Sequence, residues 1–143
     1  MNKHTPSPRR PEDTPPIRTQ ADLEEHWRAL MGPLGFGTRS IWMQILDDEN
    51  RCTPVLMQIE ELPRVPGEDD TDGMRRLLEH FREDGGSVAF LVTRPGRAGM
   101  SSSDRAWATS LTDAVRRAGL RPWPVHRAND QELAVCSADD LAA

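Results

Sequence analysis

The sequence predicts an α/β (α+β) fold: a mixed sheet of about five strands with helices packed on it. Three observations predict it. The chain has 143 residues and a mass of 16.1 kDa, enough for one hydrophobic core. Its apolar residues switch repeatedly between helical spacing and period-2 alternation, in the order α-β-β-α-β-α-β-β. One run, SVAFLVT at 87–93, is apolar and bounded by turn signals, as in a strand covered on both faces.

Residues 1–18 carry five of the twelve prolines and almost no apolar side chains. Proline at this density removes backbone donors and favours extended, solvated chain. A disordered tail is therefore expected, with the folded domain spanning 19–143. Lys3, Arg9, Arg10 and Arg18 against Glu12 and Asp13 give the tail a charge of +2, so a total of −5 leaves −7 on the remainder.

Thr19, with Asp22 three residues on, caps a first helix through the weak form of a capping box. Leu23, Trp27, Leu30 and Met31 form its apolar stripe, and Gly32-Pro33 stops it. Residues 40–46 and 55–60 form a hairpin around the turn Asp47-Asp48-Glu49-Asn50. One face carries Ile41, Met43 and Ile45 against Val55, Met57 and Ile59. Pro54 belongs at a strand start or on an edge. Residues 61–73 are rich in proline and acid and are expected as a loop. Met74, Leu77, Leu78 and Phe81 then mark a second helix, ended by Gly85-Gly86. After the strand 87–93 comes a glycine-containing loop. The cluster Ser101 to Ser103 opens a third helix lined by Trp107, Leu111, Ala114, Val115 and Ala118 and stopped by Gly119. Residues 121–126 are extended and 132–136 form a last strand, joined by a turn over 127–130.

Composition excludes several classes of function. A net charge of −5 argues against general affinity for nucleic acid, which needs clustered cations. Two cysteines cannot build a disulfide framework. No apolar run approaches a membrane span and no signal-type leader is visible, so a cytoplasmic protein is expected. Seventeen arginines stand beside a single lysine, and tyrosine is absent.

Two segments carry a resemblance. ILDDENR followed by VLMQIEEL resembles the early strands of RadC-like domains of the JAB/JAMM (MPN-like) superfamily of zinc metalloproteases. Leu46, Asp47 and Asn50 stand at the Leu-Asp and turn-Asn positions of that pattern. The segment FLVTRPGRAGMSSSDRAWATSLTDAVRRAGL is similar to the strand, loop and helix that carry the family's His-x-His-Pro and Ser-x-x-Asp motifs. Val92, Thr93, Arg94 and Pro95 occupy the first motif, and Ser101 and Asp104 match the second. Gly119 matches the helix stop, and a strand with His126 follows. The resemblance runs from Arg39 to the C-terminus and implies a JAB/MPN-like fold.

It also implies a loss of chemistry. A zinc site of this kind needs two imidazoles and a carboxylate. Val92 has no donor atom, and the guanidinium of Arg94 has no lone pair to offer a metal. The general-base Glu belongs near Arg39 and Ser40, where no carboxylate stands. Neither metal nor cofactor is expected. The resemblance implies a metal-free pseudoenzyme that binds or regulates a protein partner through Arg94, Arg97, Ser101 and Asp104, with Arg94 taking the metal's electrostatic place against Asp104. Asp104 also has a simpler role as a helix-capping acid. Trp123, between two prolines, is the aromatic expected at an exposed interface.

Two alternatives remain. Arg94 to Arg97, in a glycine-rich turn before a helix, suits a small anion or nucleotide, although no Walker or G-x-G-x-x-G spacing is present. A hydrolase using Cys136 or Ser101 as nucleophile with His126 as base is the other.

Overall fold

The computed structural model describes residues 15–83 and 85–137. Among these are three helices, α1 (Gln20–Met31), α2 (Glu68–Glu79) and α3 (Ser102–Arg117). Six strands accompany them: β1 (Ser40–Leu46), β2 (Cys52–Ile59), β3 (Ser87–Thr93), β4 (Arg121–Pro122), β5 (His126–Ala128) and β6 (Leu133–Val135). The fold is mixed α+β, as expected. The sheet order is β2-β1-β3-β5-β6, with β4 also paired to β3. β1 runs antiparallel to β2 and β3, whereas β4 and β5 run parallel to β3.

The expected tail lies outside the described residues except for 15–18. Within that stretch Ile17 is buried and donates its N–H to Asn50 O at 2.8 Å. The folded part thus begins before Thr19, because one isoleucine finds a place beside the β1–β2 turn.

The sheet separates two apolar clusters. α2 and α3 cover one face, where Met74, Leu78, Trp107, Leu111, Ala114 and Val115 meet Ile41, Met43, Ile45, Val88, Phe90 and Val92. α1 covers the other with Leu23 and Trp27, which meet Ala89, Leu91, Ala128 and Leu133. Every residue of β3 is buried, which explains its unbroken apolar sequence. Fully burying a side chain such as Phe90 is worth about 1.5–3 kcal/mol, so the core is anchored on this strand.

α1 and α3 begin as their caps require. Thr19 and Ser101 accept from the N–H groups of Asp22 and Asp104 and receive a carboxylate in return. α2 begins earlier than its apolar stripe suggested. Glu68, Asp69 and Asp70 form its first turn, where they oppose the helix dipole, and Asp70 accepts from Gly67 N–H at 2.8 Å. α2 also ends at Glu79 instead of Gly85. Gly86 is demanded by close packing, since a Cβ there would lie 2.8 Å from Asp48 Oδ1 and 3.0 Å from Asp47 O.

β2 starts at Cys52, three residues before the expected strand, and its register to β1 shifts between Gln44 and Leu46. Gln44 fills that irregularity, its amide donating to Ile45 O, Thr53 O and Val55 O. The segment 121–128 departs most from expectation. It joins β3 as two short ladders, β4 pairing β3 alone and β5 lying between β3 and β6. Pro122 and Pro124 cannot donate, so the ladder breaks between them and Trp123 N–H alone bonds Val88 O at 3.0 Å. Ala128 is consequently strand, and the hairpin turn moves to 129–132.

Candidate functional site

The candidate site lies where β3 ends and α3 begins. Thr93 is the last residue of β3, and the chain then loops through 94–100 to the cap residue Ser101. Arg94 turns its guanidinium inward. Nε donates to both carboxylate oxygens of Asp104 at 2.9 and 3.1 Å. The two side chains are 11% and 2% exposed, so this is a buried ion pair. Nη1 donates to Pro95 O, and Nη2 to Arg97 O and Gly99 O. Asp104 also caps α3 by accepting from Ser101 N–H at 3.0 Å, while Ser101 Oγ accepts from Asp104 N–H. The capping role and the ion pair expected from the sequence therefore coexist on one carboxylate.

This geometry corrects the role of Arg94. Its nitrogens are spent on Asp104 and on the loop's own carbonyls, so it is a clasp that shapes the loop. Arg97 is the exposed arginine of the loop. An open depression of about 210 Å³ is lined by Arg94, Arg97, Ala98, Gly99, Met100 and Ser101.

The β5–β6 hairpin closes the loop from the other side, which no local pattern announced, because the contacts join residues about 33 apart. Asp130 accepts from Gly96 N–H at 2.8 Å, Gln131 from Ala98 N–H at 2.7 Å and Glu132 from Gly99 N–H at 2.5 Å. Arg127 bridges Glu132 and Gly99 O at 2.8 and 3.0 Å. The N–H groups of Gly96 and Phe36 hold the Asp130 carboxyl below its ordinary value. Arg127, then Gly99 N–H, does the same for Glu132. The amides that would cradle a phosphate are thus occupied by the protein's own carboxylates and an amide oxygen. A small anion entering here would meet negative charge, which weighs against the anion reading.

The nucleophile and base of the hydrolase reading do not converge. Ala128 lies in the α1-side cluster, and His126, two residues earlier in β5, shares its face. Cys136 belongs to the cluster under α2 and α3, as does Val125, whose carbonyl accepts from Cys136 N–H at 2.7 Å. The sheet therefore stands between His126 and Cys136, and likewise between His126 and Ser101 at the start of α3. His126 is wholly buried, and burial lowers its pKa, partly offset by Glu24 and the Pro124 carbonyl. The cysteine that does approach a histidine is Cys52, 3.9 Å from His26 Nε2. Burial, with Asp47 nearby, pushes its thiol up to about 11, which keeps it protonated and unreactive.

The metal expectation can be tested on the donors. Val92 is hydrocarbon inside the α2/α3 cluster, and Arg94 is a cation already matched by Asp104. These residues do not fit a zinc ion. Among the described residues no group of three His, Cys, Asp or Glu side chains gathers elsewhere. The other open groove, about 430 Å³ and lined by Glu68, Asp69, Thr71, Asp72, Asp113 and Arg117, is acidic and holds none of the site residues. Its Asp72 and Asp113 pair with Arg75 and Arg117.

Trp123 is not the exposed aromatic expected. It is half-buried against the α1-side cluster, and its indole N–H donates to Ser87 Oγ at 2.9 Å. The flanking prolines sit in the gap between two ladders, which lets the ring fold back on the sheet.

Arginines missed from the sequence surround the loop. Arg39 precedes β1, next to the last register pair Ser40↔Thr93, so it leaves the sheet beside Arg94. Its Nε is buried and finds no hydrogen-bond partner among the described residues. Arg64 is held beside the first turn of α3 because its carbonyl accepts from Ser103 Oγ. No helix among the described residues is long and apolar enough to cross a membrane. Neither a protein-family model nor a curated protein matches the chain.

Proposed function

We propose that the chain is a metal-free, JAB/RadC-like binding module that takes an acidic segment of a protein partner at the loop 94–101. One observation carries this reading. Arg94 and Asp104 form a buried ion pair at the position where the resemblance would keep a metal, and that pair stiffens the loop in advance of binding. Pre-ordering lowers the entropy cost of association. With the loop amides closed by Asp130, Gln131 and Glu132, the exposed cations at the loop and beside the first turn of α3 are Arg97 and Arg64. Arginine forks suit carboxylates.

Fluorescence anisotropy with a labelled Glu/Asp-rich peptide tests this. Wild-type protein is expected to bind with an affinity that falls as salt rises. The double variant Arg64→Ala, Arg97→Ala is expected to bind about tenfold more weakly. Arg94 is left intact, because removing it would unmake the loop. Equal binding by both proteins, or no binding by either, overturns the reading. A thermal shift with inorganic phosphate or nucleotide and none with the peptide would favour the small-anion alternative instead.

A further inference from the structure

The segment between β2 and α2 is tied by its backbone to the candidate site. Leu62 N–H donates to Arg39 O at 3.0 Å, and Pro63 O accepts from the Trp107 indole N–H at 3.0 Å. Arg64 O accepts from Ser103 Oγ. Three consecutive residues are thus fixed, the last two on the first two turns of α3. Pro63 and Pro66 set φ on either side of Arg64 and Val65. Val65 follows the third tie and is 58% exposed, the most exposed large apolar side chain among the described residues. A valine merely scattered on a surface is ordinary. One displayed on a pinned, proline-flanked loop loses little entropy when a partner covers it.

The charges around Val65 are divided by sign. Arg64 and Arg97 are exposed, and neither guanidinium forms an ion pair or a hydrogen bond among the described residues. On the other side of Val65 stand Glu68 and Asp69 in the first turn of α2, exposed and likewise unpaired. The 2.6 Å bond between Thr71 Oγ1 and Ser110 Oγ sets the start of α2 against the middle of α3. Ser110 lies about 10 Å along the helix from Ser103, at roughly 1.5 Å per residue. Cation, valine and acid therefore follow one another along α3.

We propose that the partner segment carries a branched aliphatic side chain that covers Val65, with its acids on one side only, at Arg64 and Arg97. This rests on the acidic-segment reading and narrows it. Two exposed arginines alone give a weak attraction that salt screens. Apolar burial against a rigid anchor adds affinity that salt does not remove. Acids continuing past the aliphatic residue would meet Glu68 and Asp69, where like charges repel. The partner is thus an acid-then-aliphatic segment of one polarity, and a plain run of acids is the weaker ligand.

Fluorescence anisotropy with the full chain and three labelled peptides tests this. The first has an acid block, then Leu, then Gly and Ser. The second has Ser in place of Leu, and the third has acid blocks on both sides of Leu. The first is expected to bind about tenfold more tightly than the second and about threefold more tightly than the third. Val65→Ser, with an unchanged circular dichroism spectrum, is expected to weaken the first about tenfold and leave the second unchanged. Glu68→Gln with Asp69→Asn is expected to bring the third level with the first. Equal binding of the first two peptides, or indifference to Val65→Ser, overturns the inference and leaves the acidic-segment reading standing. Tightest binding by the doubly flanked peptide overturns the polarity. Binding of none overturns both.

Discussion

The two faces of the sheet handle buried polarity in opposite ways. Under α3, Arg94 and Asp104 are both charged and both satisfied, with every guanidinium nitrogen donating. Under α1, His126 is wholly buried with at most the Pro124 carbonyl beside its ring, and the indole N–H of Trp27 finds no partner among the described residues. A complete network tolerates full charges and fixes one geometry, whereas an incomplete one costs stability and forces the neutral form. The same sheet thus carries a fully bonded charged site on one side and a sparsely bonded imidazole and indole on the other.

Removing Asp104 should produce the largest effect. Asp104→Ala leaves the Arg94 cation buried without a counter-charge and also removes the acceptor of Ser101 N–H, the returning half of the capping box of α3. A loss of about 3–5 kcal/mol is expected in urea unfolding. Asp104→Asn keeps an oxygen for the cap and should cost less. A loss below about 1 kcal/mol for Asp104→Ala, the size of an exposed pair, would break the contrast between the faces.

The opposite sign is expected at His126. Replacing a buried, sparsely bonded imidazole by an apolar side chain of similar size removes a desolvation cost, so His126→Leu should stabilise the protein by about 1 kcal/mol. The pH dependence follows from the lowered pKa of His126. Its ordinary value is 6.5, and the folded value lies below it. The unfolded chain therefore binds a proton first as pH falls. Stability should be highest above 6.5 and decline between that pH and the lower folded value. Glu24, on the α1 element over this histidine, limits the decline. Unfolding at a series of pH values should show this slope in wild type and its absence in His126→Leu. A slope of the same size in His126→Leu would show that burial of this histidine does not set the pH dependence.

What the sequence disclosed follows from range. β3 and α3 were legible to the residue or nearly so, because an unbroken apolar run and a Ser101/Asp104 cap are local signals. The start of α2 was hidden, since Glu68 to Asp72 resembles a solvated loop when a helix dipole is not yet in view. The Arg94–Asp104 pair was foreseeable, because ten residues separate its members across one loop. The acceptors Asp130, Gln131 and Glu132 were not, because a hairpin some 33 residues away brings them to the loop. Trp123 and His126 were misjudged for one shared reason. Which side of a sheet a residue faces is set by pairing partners that neither proline spacing nor proximity in sequence specifies.

The smallest expected effect separates the faces by pH alone. The carboxyls of Asp130 and Glu132 are held below their ordinary values of 3.8 and 4.5 by the N–H groups and the arginine they serve. A carboxylate with a depressed folded pKa contributes stability that is present above its ordinary value and lost as pH falls through the folded one. The loop contacts should therefore hold through the whole histidine window and loosen only in stronger acid. Both groups are close to solvent, so global stability should change little. Amide exchange is the sensitive probe, because opening of the loop exposes Gly96 and Gly99 without unfolding the sheet. Protection at Gly96 and Gly99 should persist near pH 6, where the α1 face is already weakened, and drop below the ordinary carboxyl range. Asp130→Asn, which keeps an acceptor but removes the titrating charge, should flatten that drop at Gly96 and leave it at Gly99. Loss of Gly96 protection in step with His126 titration would mean that the two faces open as one unit and that their difference in polarity has no separate mechanical consequence.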